Sequence, residues 1–290
     1  MKDLLFTGAC TAMVTPFLND QVNYPMMERL LQRQCDAGIE AVVICGTTGE
    51  APTLSDDEKL ELFRRAKSYV GDCCKIIAGT GSNSTAHTQE LSKAAEQCGV
   101  DGLLVVSPYY NKSTADGLLA HYITVAKAVE IPVILYNVPS RSGLDIPISV
   151  YQNLSEIRNI AGVKEASTDI VKTTRILTGC GDQLPIWSGN DDMTVPMMAM
   201  GAKGIISVLS NIAPAQTQAM AKAALAGDFL AAAALQIELQ PLIDLLFCEV
   251  NPIPVKEAMN MIGYDCGCCR LPLSPMREDN RRKLKQYLLA

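Results

Sequence analysis

Histidine is almost missing from this chain: His87 and His121 are the only two in 290 residues. Neither has an obvious triad partner, so Ser–His–Asp hydrolysis has no support. Nor does a second Cys or His pair at zinc-ligand spacing accompany the stretch Cys266-Gly-Cys268-Cys269, and no metal is expected. Basic charge is short as well. Lys and Arg total 25 against 31 Asp and Glu, a net charge of −6 with no basic stripe. That balance argues against nucleic acid and anionic membrane partners. No run approaches the length needed to span a bilayer. The opening Met1-Lys-Asp-Leu-Leu-Phe is too short and too acidic for a signal peptide, which makes the cytoplasm the default compartment. A Gly-x-Gly-x-x-Gly fingerprint is lacking too, since Gly79-Thr-Gly81 is a lone Gly-x-Gly. There is no low-complexity linker.

Cysteine, by contrast, is plentiful and odd in number, at 11. Cys35, Cys45 and Cys98 fall inside apparent core segments, where a free thiol behaves as a small hydrophobe. Reduced, mostly structural thiols are expected. With 48% apolar and 19% charged residues the composition is that of an ordinary globular protein with a substantial core.

Apolar strand-like runs alternate with amphipathic helical stretches. The runs are Ala9–Val14, Ala41–Cys45, Lys75–Ala78, Gly102–Val106, Pro132–Tyr136, Ile160–Val163, Pro185–Trp187 and Lys203–Ser207. A helical pattern follows each, among them Tyr24–Ala37, with Gly38 as its C-cap. Ser55 and Glu58 form a capping box at the start of another. Eight strand–helix units within about 225 residues match a closed (β/α)₈ TIM barrel of the α/β class in count and size, with an open doubly wound sheet as the rival. After Gly227 no strand signal returns. The division predicted is a barrel over 1–227 and a small C-terminal helical domain of three helices over 228–290.

In a barrel the chemistry sits at the carboxyl ends of the strands. There the sequence offers Lys164 directly after an apolar run. A buried lysine is costly, because burial disfavours the charged form, and a neutral lysine attacks carbonyls. The imine so formed is an electron sink that turns the adjacent carbon into an enamine nucleophile. A surface lysine at a strand end is the plainer alternative. Gly46-Thr-Thr-Gly-Glu50 has small residues, two hydroxyls and approachable N–H groups that suit a carboxylate, or is a simple βα turn. Tyr136 and Tyr110 can pass protons, with a threonine hydroxyl between them. Arg141 can grip a carboxylate in its two-pronged fork. Asp191 and Asp192 read as caps at a helix start. His87 and His121 read as helix-face residues.

Gly46-Thr-Thr-Gly-Glu50, Tyr136-Asn-Val-Pro-Ser-Arg141 and Gly162-Val-Lys-Glu-Ala166 resemble the dihydrodipicolinate synthase family, within the pyruvate-dependent Schiff-base aldolases. Val14-Thr-Pro16, Ser107-Pro-Tyr-Tyr-Asn111, Ser188-Gly189, Gly204-Ile-Ile-Ser-Val208 and Asn251-Pro-Ile-Pro-Val-Lys256 match in family order across nearly the whole chain. The resemblance implies a lyase that condenses pyruvate with aspartate 4-semialdehyde at the branch point into lysine and diaminopimelate, with no cofactor. It implies that Lys164 forms the Schiff base and that Tyr136, Thr47 and Tyr110 relay protons, Tyr110 coming from a neighbouring subunit. It further implies that Thr48 holds the pyruvate carboxylate and Arg141 that of the semialdehyde, with Gly189 and the Ile206 carbonyl lining the site. The implied assembly is a homotetramer, a dimer of dimers.

A keto-deoxy sugar-acid aldolase of the same superfamily is the alternative. Arg141 favours the synthase, because a polyol aldehyde needs neutral hydrogen bonds where a carboxylate needs a cation. A barrel that merely binds small molecules is the third reading, opposed by the intact Lys164, Tyr136, Thr47 and Tyr110. Lysine-inhibited members of the family carry a lysine pocket that Asn83 and Tyr109 fit here. Ala51, Asp56, Lys59 and His87 stand where such members often have serine, two histidines and a glutamate. Weak or absent lysine feedback is therefore expected.

Overall fold

The structure, a computed structural model, describes residues 4–289; Met1–Asp3 of the opening segment lie outside them. Its elements run β1 (Gly8–Ala12), the hairpin β2 (Phe17–Leu18) and β3 (Gln21–Val22), α1 (Tyr24–Asp36), β4 (Ala41–Ile44), α2 (Asp56–Val70) and β5 (Lys75–Gly79). Next come α3 (Thr85–Gln97), β6 (Gly102–Val106), α4 (Ala115–Ala126), β7 (Val133–Asn137), the single turn α5 (Pro139–Ser142) and α6 (Ile148–Ser155). β8 (Ile160–Glu165), α7 (Ile170–Cys180), β9 (Ile186–Ser188), α8 (Thr194–Ala199), β10 (Gly204–Ser207) and α9 (Pro214–Leu225) complete the alternation. Three helices follow: α10 (Phe229–Leu246), α11 (Ile253–Met261) and α12 (Glu278–Leu288).

Eight parallel strands close on themselves in the order β1-β10-β9-β8-β7-β6-β5-β4, with β1 pairing both β10 and β4. The chain is a closed (β/α)₈ barrel, and the open sheet is ruled out. Because successive strand residues point to opposite faces, two apolar layers arise. One fills the barrel and includes Phe6, Cys10, Val43, Ile77, Ile134, Tyr136, Trp187 and Ile206, with Phe6 stacked on Trp187 at 4.9 Å. The other lies between strands and helices and continues under α10, α11 and α12.

The capping box forms as expected: Glu58 N–H donates to Ser55 Oγ at 3.2 Å, and Ser55 N–H to Glu58 Oε2 at 2.9 Å. Two expectations need correction. Cys35 and Cys73 are joined in a disulfide across a Cα separation of 5.9 Å, so the thiols are not all reduced. The two cysteines lie 38 residues apart, at the end of α1 and in the turn before β5, and nothing local in the sequence pairs them. Second, α10 is long and apolar enough to cross a membrane by length and composition. The run Ala231–Ala234 raises its average, while Glu238 and Asp244 interrupt it. Its buried residues, Leu239, Leu242, Ile243 and Leu246 among them, belong to the outer core layer. His121 lies on a helix face as expected, the buried face of α4. It is 3% exposed, with Nδ1 2.9 Å from Thr85 Oγ1 and Tyr122 edge-on against the ring.

Burial pushes the His121 imidazole down to about 4 from its ordinary 6.5. The unfolded chain takes up a proton below 6.5 that the folded chain refuses. The contribution of neutral His121 is therefore complete above pH 6.5 and is lost as pH falls towards 4, in all about 3 kcal/mol. Urea unfolding at about pH 7 and about pH 4.5 should register the fall. His121→Gln should flatten it, and an unchanged slope in that variant would assign the effect elsewhere.

Candidate active site

The register of β7 and β8 sets the site. Tyr136 lies opposite Lys164, and Asn137 opposite Glu165. Alternation sends the first pair into the barrel and the second outwards. Lys164 is 5% exposed, and its Nζ stands 4.4 Å from the centre of the Tyr136 ring. Both lysine and glutamate belong to the strand, although the apolar pattern ends at Val163, because the polar end of a barrel strand is buried by neighbouring loops. Outside the barrel, Glu165 is fully satisfied. It accepts from Asn137 Nδ2 at 2.9 and 3.1 Å, from Ser167 N–H at 2.8 Å and from the Tyr151 hydroxyl at 3.2 Å. Burial, then the Glu165 charge, pushes the Tyr151 phenol well above its usual range. The carboxylate beside Lys164 in sequence thus anchors the strand and is turned away from the cavity.

Lys164 and Tyr136 line a cavity of about 170 Å³ together with Thr47, Thr48, Arg141, Gly189 and Asn251. The Gly46–Glu50 loop enters from the end of β4. It is held by Thr15 Oγ1, which donates to the Gly49 carbonyl at 2.7 Å. Arg141 is exposed at the rim on the single turn α5. Gly189 has no room for a side chain: a Cβ there would lie 2.6 Å from that of Ala166 and 3.1 Å from Lys164 Cε. Six of the eight site residues singled out from sequence therefore meet around one space. Ile206 does not line it; its side chain packs in the barrel interior on β10. Tyr110 stands apart, 91% exposed with φ +68.

A second cavity of about 370 Å³ shares Gly46, Thr47, Tyr136 and Arg141 with the first and extends to Tyr109, Lys59 and His87. There Asp56 accepts from Lys59 Nζ at 3.0 Å and lies 2.8 Å from His87 Nε2. Partial burial raises the Asp56 carboxyl, but the His87 and Lys59 hydrogen bonds outweigh it and hold the group below its usual range.

Asp191 is no cap for its own helix. It accepts from Ser207 Oγ at 2.5 Å and from the N–H groups of Val208 and Leu209 at 3.0 and 3.1 Å. Burial pushes its carboxyl up against these bonds. It thereby fixes the loop after β10, whereas Asp192 is exposed.

Sequence reasoning also missed what the C-terminal region does here. Lys256 Nζ meets Glu50 Oε1 at 2.7 Å and the Cys268 carbonyl at 3.0 Å, and Arg270 N–H donates to Glu50 Oε2 at 2.8 Å. The stretch Cys266-Gly-Cys268-Cys269 is thus the backbone strap over this buried pair. Gly267, with φ +68, passes so close to Phe17 that a Cβ would sit 2.2 Å from its carbonyl oxygen. Among the described residues no group of three His, Cys, Asp or Glu side chains could hold a metal ion.

A closed parallel barrel whose strand ends bring a buried lysine, a tyrosine, two threonines and an arginine around one cavity is a (β/α)₈-barrel enzyme. Comparison with known proteins makes this specific. The model of the Dihydrodipicolinate synthetase family matches residues 5–290. A 4-hydroxy-tetrahydrodipicolinate synthase of Acetivibrio thermocellus is 45% identical over 288 residues, covering 99% of this chain and 98% of that protein. The crystal structure of dihydrodipicolinate synthase from Aquifex aeolicus superposes with a TM-score of 0.96 at 41% identity, covering 98% of this chain and 97% of that one. A further solved relative, described as the first monomeric dihydrodipicolinate synthase variant, gives 0.95 at 38% identity, covering 98% and 96%. The chain belongs to the dihydrodipicolinate synthetase family, a family of lyases serving lysine and diaminopimelate biosynthesis.

Proposed function

We propose that this protein is a 4-hydroxy-tetrahydrodipicolinate synthase, condensing pyruvate with aspartate 4-semialdehyde through a Schiff base on Lys164. The observation that carries the reading is the buried Lys164 amine over Tyr136, in one cavity with Thr47, Thr48 and Arg141. Lys164 adds to the pyruvate ketone, and water leaves as the iminium forms. Loss of a methyl proton gives the enamine, which attacks the aldehyde carbon. The substrate's own amine then displaces Lys164 and closes the ring, so the net loss is one water. Tyr136 and Thr47 serve as proton carriers on this reading. Thr48 takes the pyruvate carboxylate and Arg141 that of the semialdehyde. Gly189 completes the wall, while the Ile206 carbonyl, named with it from the family resemblance, does not line this cavity. The names of the curated relatives favour this reaction over sugar-acid cleavage.

Tyr110 completes the relay from a second copy of the chain, its exposure and left-handed backbone being suited to a side chain that crosses an interface. The assembly on this reading is a cytoplasmic homotetramer built from two such dimers. The test of the chemistry is borohydride trapping. Pyruvate should add mass to the Lys164 peptide, and aspartate 4-semialdehyde should discharge the adduct. An adduct that the semialdehyde leaves in place would point to the sugar-acid reaction, and no adduct at all would remove the Schiff base.

Lysine should inhibit weakly or not at all. The one carboxylate in the Lys59–Asp56–His87 group is already shared between two side chains, and Lys59 repels a second ammonium. Steady-state assays with added lysine check this; an inhibition constant in the low millimolar range or below would contradict it.

A further inference from the structure

The two groups read here as carboxylate binders have a partner in common, and it comes from the far end of the chain. Asn251 precedes α11. Its Nδ2 donates to Thr48 Oγ1 at 3.0 Å, and its backbone carbonyl accepts from Arg141 Nη2 at 3.2 Å. The residue is 6% exposed and lines the same cavity as Lys164. Its own Oδ1 is buried without a hydrogen-bond partner, a destabilising arrangement that packing alone does not call for.

We propose that Asn251 is a positioning residue that aims the Thr48 hydroxyl at the carboxylate of the keto acid; the inference rests on the reading of Thr48 given above. A hydroxyl has one proton and two acceptor sites. The Asn251 N–H fills one acceptor site and cannot take the proton, so the O–H is left to point into the cavity. An incoming carboxylate, which is acceptor-only, needs that proton. The backbone carbonyl meanwhile steadies Arg141 whatever side chain residue 251 carries. The two effects therefore separate: side-chain changes at 251 reach Thr48 and leave the Arg141 contact in place.

The test is steady-state kinetics on the full-length enzyme with both substrates varied. Asn251→Ala should raise the KM for pyruvate roughly tenfold, the effect of losing a hydrogen bond that orients a charged partner. The KM for aspartate 4-semialdehyde should change far less, and kcat should hold within about threefold. Asn251→Asp keeps the shape but supplies an acceptor that draws the Thr48 proton and repels the carboxylate. It should raise the pyruvate KM further than alanine does, and Asn251→Ser, which restores a donor, should recover part of the loss. Thr48→Val should raise the same KM, and Asn251→Ala added to it should cost little more. A residue serving only packing would lower the melting temperature in the alanine variant and leave this order of KM values unformed. If Thr48→Val raises the pyruvate KM and neither Asn251→Ala nor Asn251→Asp does, the positioning role is overturned while the reading of Thr48 stands. If Thr48→Val itself leaves that KM unchanged, the reading of Thr48 falls and the inference with it.

Discussion

Lys164→Ala is expected to lower kcat/KM by roughly 10⁴-fold or more, the scale on which loss of a covalent nucleophile acts, without unfolding the protein. The amine projects into a cavity, is 5% exposed and sits over the face of Tyr136. Among the described residues no carboxylate stands within ion-pair distance of it. Lys164 favours the charged form of buried Asp191, but that carboxylate keeps its hydrogen bonds to Ser207, Val208 and Leu209 when the amine is removed. Lys164→Arg should be nearly as inactive, because a guanidinium does not shed its proton and cannot form the imine. Both variants should lose the borohydride-trapped pyruvate adduct while keeping the far-ultraviolet dichroism of the parent. Activity above about 1% of the parent in either purified variant would mean that the barrel catalyses its reaction without the covalent step.

The second large effect lies in stability. Lys256→Met should cost about 3–5 kcal/mol, the usual consequence of stranding one member of a buried ion pair. Glu50 and Lys256 are 0% and 2% exposed in their side chains and meet at 2.7 Å. The ammonium also lies 4.0 Å from the centre of the Phe17 ring. Glu50→Gln should be damaging for the mirror reason. The two together should cost less than the sum of the singles, since neither charge is then left alone. Urea titration measures all three. A single change costing under about 1 kcal/mol would show that the pair is solvated when one partner leaves. The loop that carries Thr47 and Thr48 ends at Glu50, so loss of activity should accompany the loss of stability in the single variants.

The barrel was legible because its signal is local. Each strand is a short apolar run and each helix a patterned segment, and these repeat eight times. Lys164 was legible for the same reason, as a lone cation at the end of an apolar run. What escaped was pairing over distance. Asp191 looked like a cap because its true partners, Ser207, Val208 and Leu209, lie in another loop. Asn251 matched a family motif yet suggested no role, since Thr48 is 203 residues away. Cys35 and Cys73 met only through the packing of α1 against the next unit. The hairpin of Phe17–Leu18 and Gln21–Val22 is two residues a side, too short for alternation to show. α5 is a single turn starting at Pro139, and one turn has no period to read.

The bonds between the Gly46–Glu50 loop and the C-terminal region bear on how the enzyme is made. Synthesis runs from the amino end, so Thr48 and Glu50 leave the ribosome 203 and 206 residues before Asn251 and Lys256, and Glu50 waits 220 residues for Arg270. All eight barrel strands are translated before any of these three. A nascent chain can thus carry every strand while its Gly46–Glu50 loop still lacks the contacts from Asn251, Lys256 and Arg270. The loop beside Lys164 gains these three contacts only once residues 251–270 have been made and folded.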